Sequence, residues 1–288
     1  MITLARGGLE LDVSPEIGGA IARFAVDGTH VLRPAQPGVT DVREMSCFPL
    51  VPYANRIENA VLHFGGRTYD IPRNFGSHPH SLHGHGWRLP WRVESLSRDQ
   101  VILGYDHGPD EWPWGYSAEE EYALDEGGLR VRLTLRSRDA RPMPTSLGFH
   151  PYFPRTASTR VTSAVKGMWK TDATQIPTEY VAGTPPLDLM AGALVDKAPF
   201  VDNTFDGWRG PARIEQPDSG LELSLEASPA CTFFHMFIPF GATFFCAEPV
   251  SAMPNAFNRP EAAAITGART LAPGGTFSIE MRLGVARK

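Results

Sequence analysis

Cysteine is scarce in this chain: Cys47, Cys231 and Cys246 are the only three among 288 residues. The number is odd and the spacing matches neither a disulfide framework nor a zinc site, so reduced, buried thiols are expected. Long apolar runs are missing too. No stretch approaches the roughly 18 uninterrupted apolar residues of a membrane helix, and Met1 to Val13 lack the apolar centre of a secretory leader. A cytoplasmic location and no membrane partner are expected. Positive charge is not in excess. The formal net charge is -5, opposite in sign to a surface that binds a phosphate backbone, so nucleic acid is not an expected partner. Internal repeats, low-complexity tracts and amphipathic helices longer than about three turns are also lacking.

What is abundant is punctuation. The 28 glycines and 26 prolines cut the chain into short segments, as turns require. Between them, side chains alternate with period two. Leu129 to Arg136 reads Leu-Arg-Val-Arg-Leu-Thr-Leu-Arg; Leu221 to Glu226 and Thr276 to Leu283 repeat the pattern; Val101 to Tyr105 and Tyr116 to Leu124 are further candidates. Strict alternation marks half-buried antiparallel strands, and many short strands predict an all-β sandwich or barrel. With 42% apolar residues the chain can fill a sizeable core. One domain over residues 1–288 is expected, with Ala182 to Pro199 as a loop inside it.

Five clusters carry residues capable of chemistry. His78, His80, His83 and His85 lie within eight residues, a density that suggests metal ligation. A His-x-His metal strand of the cupin kind wants a Glu four residues after the pair; position 84 is Gly, and the flanking glycines and proline read as a loop. His150 is embedded in an aromatic run, Gly148-Phe149-His150-Pro151-Tyr152-Phe153. Glu248 interrupts the apolar strand Phe244 to Val250. A carboxyl there must be paired or have its pKa shifted, and burial moves it towards the range useful to a general base. Asp202 follows Phe200-Val201, and Arg56 stands in Tyr53-Ala54-Asn55-Arg56-Ile57. Each of these has an ordinary structural reading when taken alone.

Taken in order they form a pattern. Tyr53-Ala54-Asn55-Arg56-Ile57, Phe64-Gly65-Gly66-Arg67-Thr68-Tyr69, Leu82-His83-Gly84, His150-Pro151-Tyr152-Phe153, Asp202 and Glu248-Pro249 follow one another over roughly residues 40–260. This set resembles the aldose 1-epimerase (galactose mutarotase) family. The resemblance implies a galactose mutarotase-like β-supersandwich of two large antiparallel sheets. It implies interconversion of the α and β anomers of a free aldose, with a monosaccharide as the partner molecule and no cofactor or metal. His150 aligns with the family's general acid and Glu248 with its base; His83 aligns with the second histidine, and Arg56 and Asp202 with residues that hold sugar hydroxyls. On this reading Glu248 takes the anomeric hydroxyl proton while protonated His150 gives one to the ring oxygen. The open aldehyde then turns about its terminal carbon–carbon bond and recloses. Trp87, Tyr152, Phe153 and Trp208 are candidate platforms for the sugar's apolar face.

The interval from His83 to Trp91 is shorter than in the galactose mutarotases and nearer to the hexose-6-phosphate branch. That branch carries an Arg four residues after this His, where this chain has Trp87 followed by Arg88. A phosphosugar substrate, a non-catalytic sugar-binding module and a glycoside hydrolase using Glu248 and Asp202 as paired carboxylates are the alternatives. The last does not explain the two aligned histidines.

Overall fold

The computed structural model describes residues 1–183 and 187–288. The alternating segments become strands of a nine-stranded antiparallel sheet. Its order is Arg92–Leu96, Gln100–His107, Tyr116–Asp125, Gly128–Ser137, Thr276–Arg287, Leu221–Ala227, Ala212–Gln216, Arg160–Ser163 and Ala193–Leu194. One face of this sheet is apolar and buried; the other carries exposed ion pairs such as Arg132 with Glu280 and Arg213 with Glu222. The chain's charged residues are thereby kept on the hydrated side of each strand.

The eight-stranded sheet reads differently. It runs Pro177–Ala182, Gly167–Thr171, Val201–Asp206, Phe233–Ile238, Phe244–Val250, Gly148–Phe149 and Pro49–Leu50, with Tyr152–Pro154 also pairing to Phe244–Val250. Its central strands are buried on both faces, so Phe233–Ile238 reads as an almost unbroken apolar run. Period two still sorts them. Val201, Phe205, Phe234, Met236, Phe245 and Ala247 enter the main core with the inner face of the nine-stranded sheet. Asp202, Thr204, His235, Cys246 and Glu248 leave the opposite face, because successive side chains point to opposite sides of a sheet.

The expected all-β architecture of two large antiparallel sheets is thus present. A four-stranded sheet, Ile2–Arg6 to Thr29–His30, and three two-stranded ribbons complete it. Among the described residues the α-helical segment is the single turn Ala263–Thr266, and no helix is long and apolar enough to cross a membrane. The three cysteines are free and buried. The segment read as a loop, Ala182 to Pro199, contains the short strand Ala193–Leu194 bonded to Arg160–Ser163 and the turn Val195–Lys197; residues 184–186 of it lie outside the described residues.

One inward position of the nine-stranded sheet carries a carboxyl. Glu120 alternates inward with Tyr116, Ala118, Tyr122 and Leu124, and is fully buried, with Oε2 lacking any partner. Burial pushes its pKa well above the ordinary 4.5. Below that value both folded and unfolded chains hold the proton. As pH rises the unfolded chain gives up the proton while the native chain retains it, so native stability falls. Glu120→Gln, which cannot ionise, is expected to gain on wild type between pH 4 and 8, by about 1.4 kcal/mol for each unit by which burial raises the Glu120 pKa, read from urea unfolding at both pH values. A difference that does not change with pH would refute this.

Candidate active site

The site begins with two short strands. Arg56–Ile57 pairs with Ser81–Leu82, setting Arg56 beside Leu82 and bringing His83 alongside Asn55. The backbone N–H of His83 donates to Asn55 O at 2.8 Å, and that of Asn55 donates to His83 Nδ1 at 3.1 Å. Asn55 and His83 both hold left-handed backbone, with φ of 61° and 58°. Side chains other than glycine rarely adopt this conformation without surrounding constraint. Gly84 continues the turn at φ 74°, and a Cβ there would stand 2.4 Å from Val51 O. Only glycine permits this approach, which accounts for the Leu-His-Gly sequence.

His150 and Glu248 meet through register. Gly148 pairs with Val250 and Tyr152 with Cys246; continuing that register through the break at Pro151 sets His150 opposite Glu248. Their Nε2 and Oε1 atoms are 3.3 Å apart. The His150 ring packs against Phe48 at 4.6 Å and Tyr152 at 4.8 Å, which also touch each other, and stands edge-on to His83 at 5.4 Å. On the other side of Glu248, the neighbouring strand places His235 directly across.

Asp202 completes the cluster. Arg56 grips it with two hydrogen bonds, Nη1 to Oδ1 at 3.2 Å and Nη2 to Oδ2 at 2.8 Å. Asn55 Oδ1 accepts from Arg56 Nη1 at 2.9 Å and holds the guanidinium in plane. His235 also donates to Asp202 Oδ1, from Nε2 at 3.0 Å. Its other nitrogen, Nδ1, lies 2.7 Å from the Thr204 hydroxyl and 3.4 Å from the Asn55 amide.

These groups line a cavity of about 410 Å³, with Arg56, His83, His150, Asp202, His235 and Glu248 in its wall. The volume lies within the usual range of about 300–1,000 Å³ for small-molecule sites. All five site residues read from the sequence are therefore gathered in one place. Of the four aromatic candidates, Trp87 and Tyr152 line the cavity. Phe153 and Trp208 do not. Phe153 is packed on Phe245 in the core, and Trp208 is buried against Phe234 with its N–H donated to Ser163.

The histidine-rich loop disperses. His78 and His83 line the cavity, His80 accepts from the Asn59 backbone N–H, and His85 stacks on His107 and meets Glu111. Among the described residues, the group with ligand atoms collected in one place is His150, Cys246 and Glu248, all within 4.8 Å of one another. Asn55, His235 and Phe48 are site residues that the sequence reading did not single out. His235 had the same mark as Glu248, a lone polar residue in an apolar strand.

Burial sets the electrostatics. It raises the pKa of Glu248, reinforced by the Asp202 charge and only partly offset by Arg56. It lowers that of His150 to about 3, with His235 adding to the effect, and lowers that of His83 as well. Burial also works to raise Asp202, but the Arg56 charge and the His235 hydrogen bond outweigh it and hold this carboxyl below its ordinary value. Burial thus favours a neutral His150 and a proton on Glu248, the reverse of the distribution drawn from the sequence.

Comparison with known proteins agrees with this geometry. The chain is 35% identical over 292 residues to the uncharacterised protein YphB of Escherichia coli K12, covering 98% of each chain. It superposes with a TM-score of 0.91 on a solved E. coli K12 structure provisionally named an aldose 1-epimerase, at 34% identity over 99% of this chain and 98% of that one. A galactose mutarotase-like protein from Clostridium acetobutylicum shares the fold, with a TM-score of 0.88 at 21% identity, covering 99% of this chain and 95% of that one. The sequence model of the aldose 1-epimerases matches residues 1–284, and the chain belongs to the aldose 1-epimerase family.

Proposed function

We propose that this protein interconverts the α and β anomers of a free, unphosphorylated aldose, with His150 and Glu248 as its proton-transfer pair and Arg56, His83 and Asp202 binding the sugar. The observation that carries this reading is the buried contact between His150 and Glu248 in the wall of a sugar-sized cavity. Ring opening needs one group to protonate the ring oxygen and another to take the anomeric hydroxyl proton. A pair that holds a single proton supplies both. With a closed sugar bound, the reactive form has His150 protonated and Glu248 ionised, reached by moving one proton across 3.3 Å. Opening the ring returns the proton to Glu248, which is the distribution that burial favours. Reclosure on the other face of the aldehyde runs both transfers backwards.

The arginines favour an uncharged sugar over a phosphosugar. Of the two in the cavity wall, Arg56 is committed to Asp202 and Arg43 to Asp41. Arg33, stacked over Tyr152 and Phe244 nearby, donates to the carbonyls of Arg43 and Met45. A phosphate wants basic partners that are free to reach it. The commitment of Asp202 to Arg56 and His235 likewise weighs against the glycosidase alternative, which needs a second carboxyl able to exchange protons.

NMR exchange or polarimetry on a panel of free aldoses is expected to show accelerated anomer exchange. Glu248→Gln should lose about 10²–10⁴-fold in kcat; full activity in that variant would remove Glu248 from the mechanism. Measurable sugar binding without exchange on any sugar would favour the non-catalytic module.

The pH profile follows from the same pair. After subtraction of the uncatalysed rate, kcat/KM should persist towards an acid limb near pH 3, where His150 gains a second proton for the pair. It should fall at high pH as Glu248 loses the only one. An acid limb at the ordinary histidine value would contradict this.

His235 should act through Asp202. His235→Ala is expected to raise KM with kcat nearly kept, and His235→Gln, which retains an N–H donor, to recover most of the loss. Equal defects in both variants would count against that role.

A further inference from the structure

The proton-transfer pair has a third neighbour that proton transfer does not use. Cys246 precedes Glu248 by two residues on Phe244–Val250, so both side chains leave the same face of the sheet. The ladder that pairs Tyr152 with Cys246 also carries His150 over this spot. The three residues are buried, and each offers a ligand atom within 4.8 Å of the others.

The donor set is imidazole, thiol and carboxylate. Zinc takes all three, whereas magnesium and calcium call for oxygen alone. Two ligands held at about 2.0–2.1 Å by one tetrahedral ion stand roughly 3.4 Å apart, and His150 Nε2 and Glu248 Oε1 stand 3.3 Å apart. The pair already has the spacing of one tetrahedral edge. Glu248 Oε2 is buried without a hydrogen-bond partner, so turning the carboxyl towards a metal breaks no bond at that oxygen. The fourth corner is left to water or a sugar hydroxyl, as in zinc sites with three protein ligands. His150 Nδ1 also lacks a partner. Tight zinc sites brace that second nitrogen, so this one suits reversible occupancy over a resident ion.

We propose that His150, Cys246 and Glu248 form a reversible zinc site that switches the protein off. On binding, the Cys246 thiol and the protonated Glu248 carboxyl each release a proton to solvent, and three protein–metal bonds form without any redox change. A coordinated imidazole nitrogen and a coordinated carboxylate no longer exchange protons with a sugar. The binding stands on geometry alone; the inhibition rests on the proton-transfer reading above.

Cobalt(II) tests the binding directly, because thiolate ligation to it gives a near-ultraviolet charge-transfer band. The band should appear with wild type and Cys231→Ser, and vanish with Cys246→Ser and Cys246→Ala. Zinc added during anomer exchange should inhibit wild type, reversibly by EDTA. Cys246→Ser should keep the basal rate and need at least about tenfold more zinc, the loss that removing even an outer partner of a metal ligand produces. Absence of the band from wild type, zinc inhibition unchanged by Cys246→Ser, or stimulation by zinc would each overturn the proposal. A band in wild type with no exchange on any sugar would fault the proton-transfer reading and leave the metal site standing. Exchange activity without a band would do the reverse.

Discussion

The buried pairing of Arg56 with Asp202 is the interaction around which the site is arranged. Taking two charges out of water is expensive, and the cost is recovered only when geometry is good and remaining valences are met. Here the guanidinium binds two-pronged, Asn55 braces it, and His235 meets Asp202 as well. With its charge fixed, Asp202 bears on Glu248, which has burial to contend with and no cation of its own. Two carboxyls in one cavity wall are thereby driven apart: Asp202 is held below its ordinary pKa and Glu248 is raised above its own. On the proposed reading, one holds position and the other exchanges a proton. That division of labour comes from which carboxyl received the arginine.

The sheets make this division possible. Val201–Asp206, Phe233–Ile238 and Phe244–Val250 lie side by side, each giving one face to the core and the other to the cavity. Register therefore fixes which polar groups meet. A slip of one residue in any of the three would turn its titratable group into the core. The turn that carries His83 is held separately by Gly84 pressed on Val51 and by left-handed backbone at Asn55 and His83. Such backbone is held by its surroundings at a cost of about 1–3 kcal/mol per residue, and the site is stiff in consequence.

Most of the fold was legible because the nine-stranded sheet has one wet face. Its strands alternate, and alternation can be read from a sequence. The central strands of the other sheet are covered on both sides, so Phe233–Ile238 shows no alternation that would mark His235 as a site residue. Tyr152 and Phe153 were equal candidates as sugar platforms, although adjacent residues on a strand point oppositely and only one of them can face the cavity. The ordered motifs gathered Arg56, His83, His150, Asp202 and Glu248 correctly in space. Which member of the His150–Glu248 pair holds the proton was not legible, since it depends on how completely each group is buried and on charges from strands distant in sequence. Glu120 was not legible either: its strand position is regular, and only its surroundings make it unusual.

The aromatic packing around His150 has a bearing on what moves. An imidazole packed against Phe48 and Tyr152, with His83 on its edge and Glu248 at its Nε2, has little room to follow a substrate. With Glu248 rooted in the middle of a sheet, both ends of the proton path are stationary. On the proposed reading, the sugar supplies the motion: its freed aldehyde pivots inside a rigid mould, and the protein behaves as a jig that waits for either face to come round.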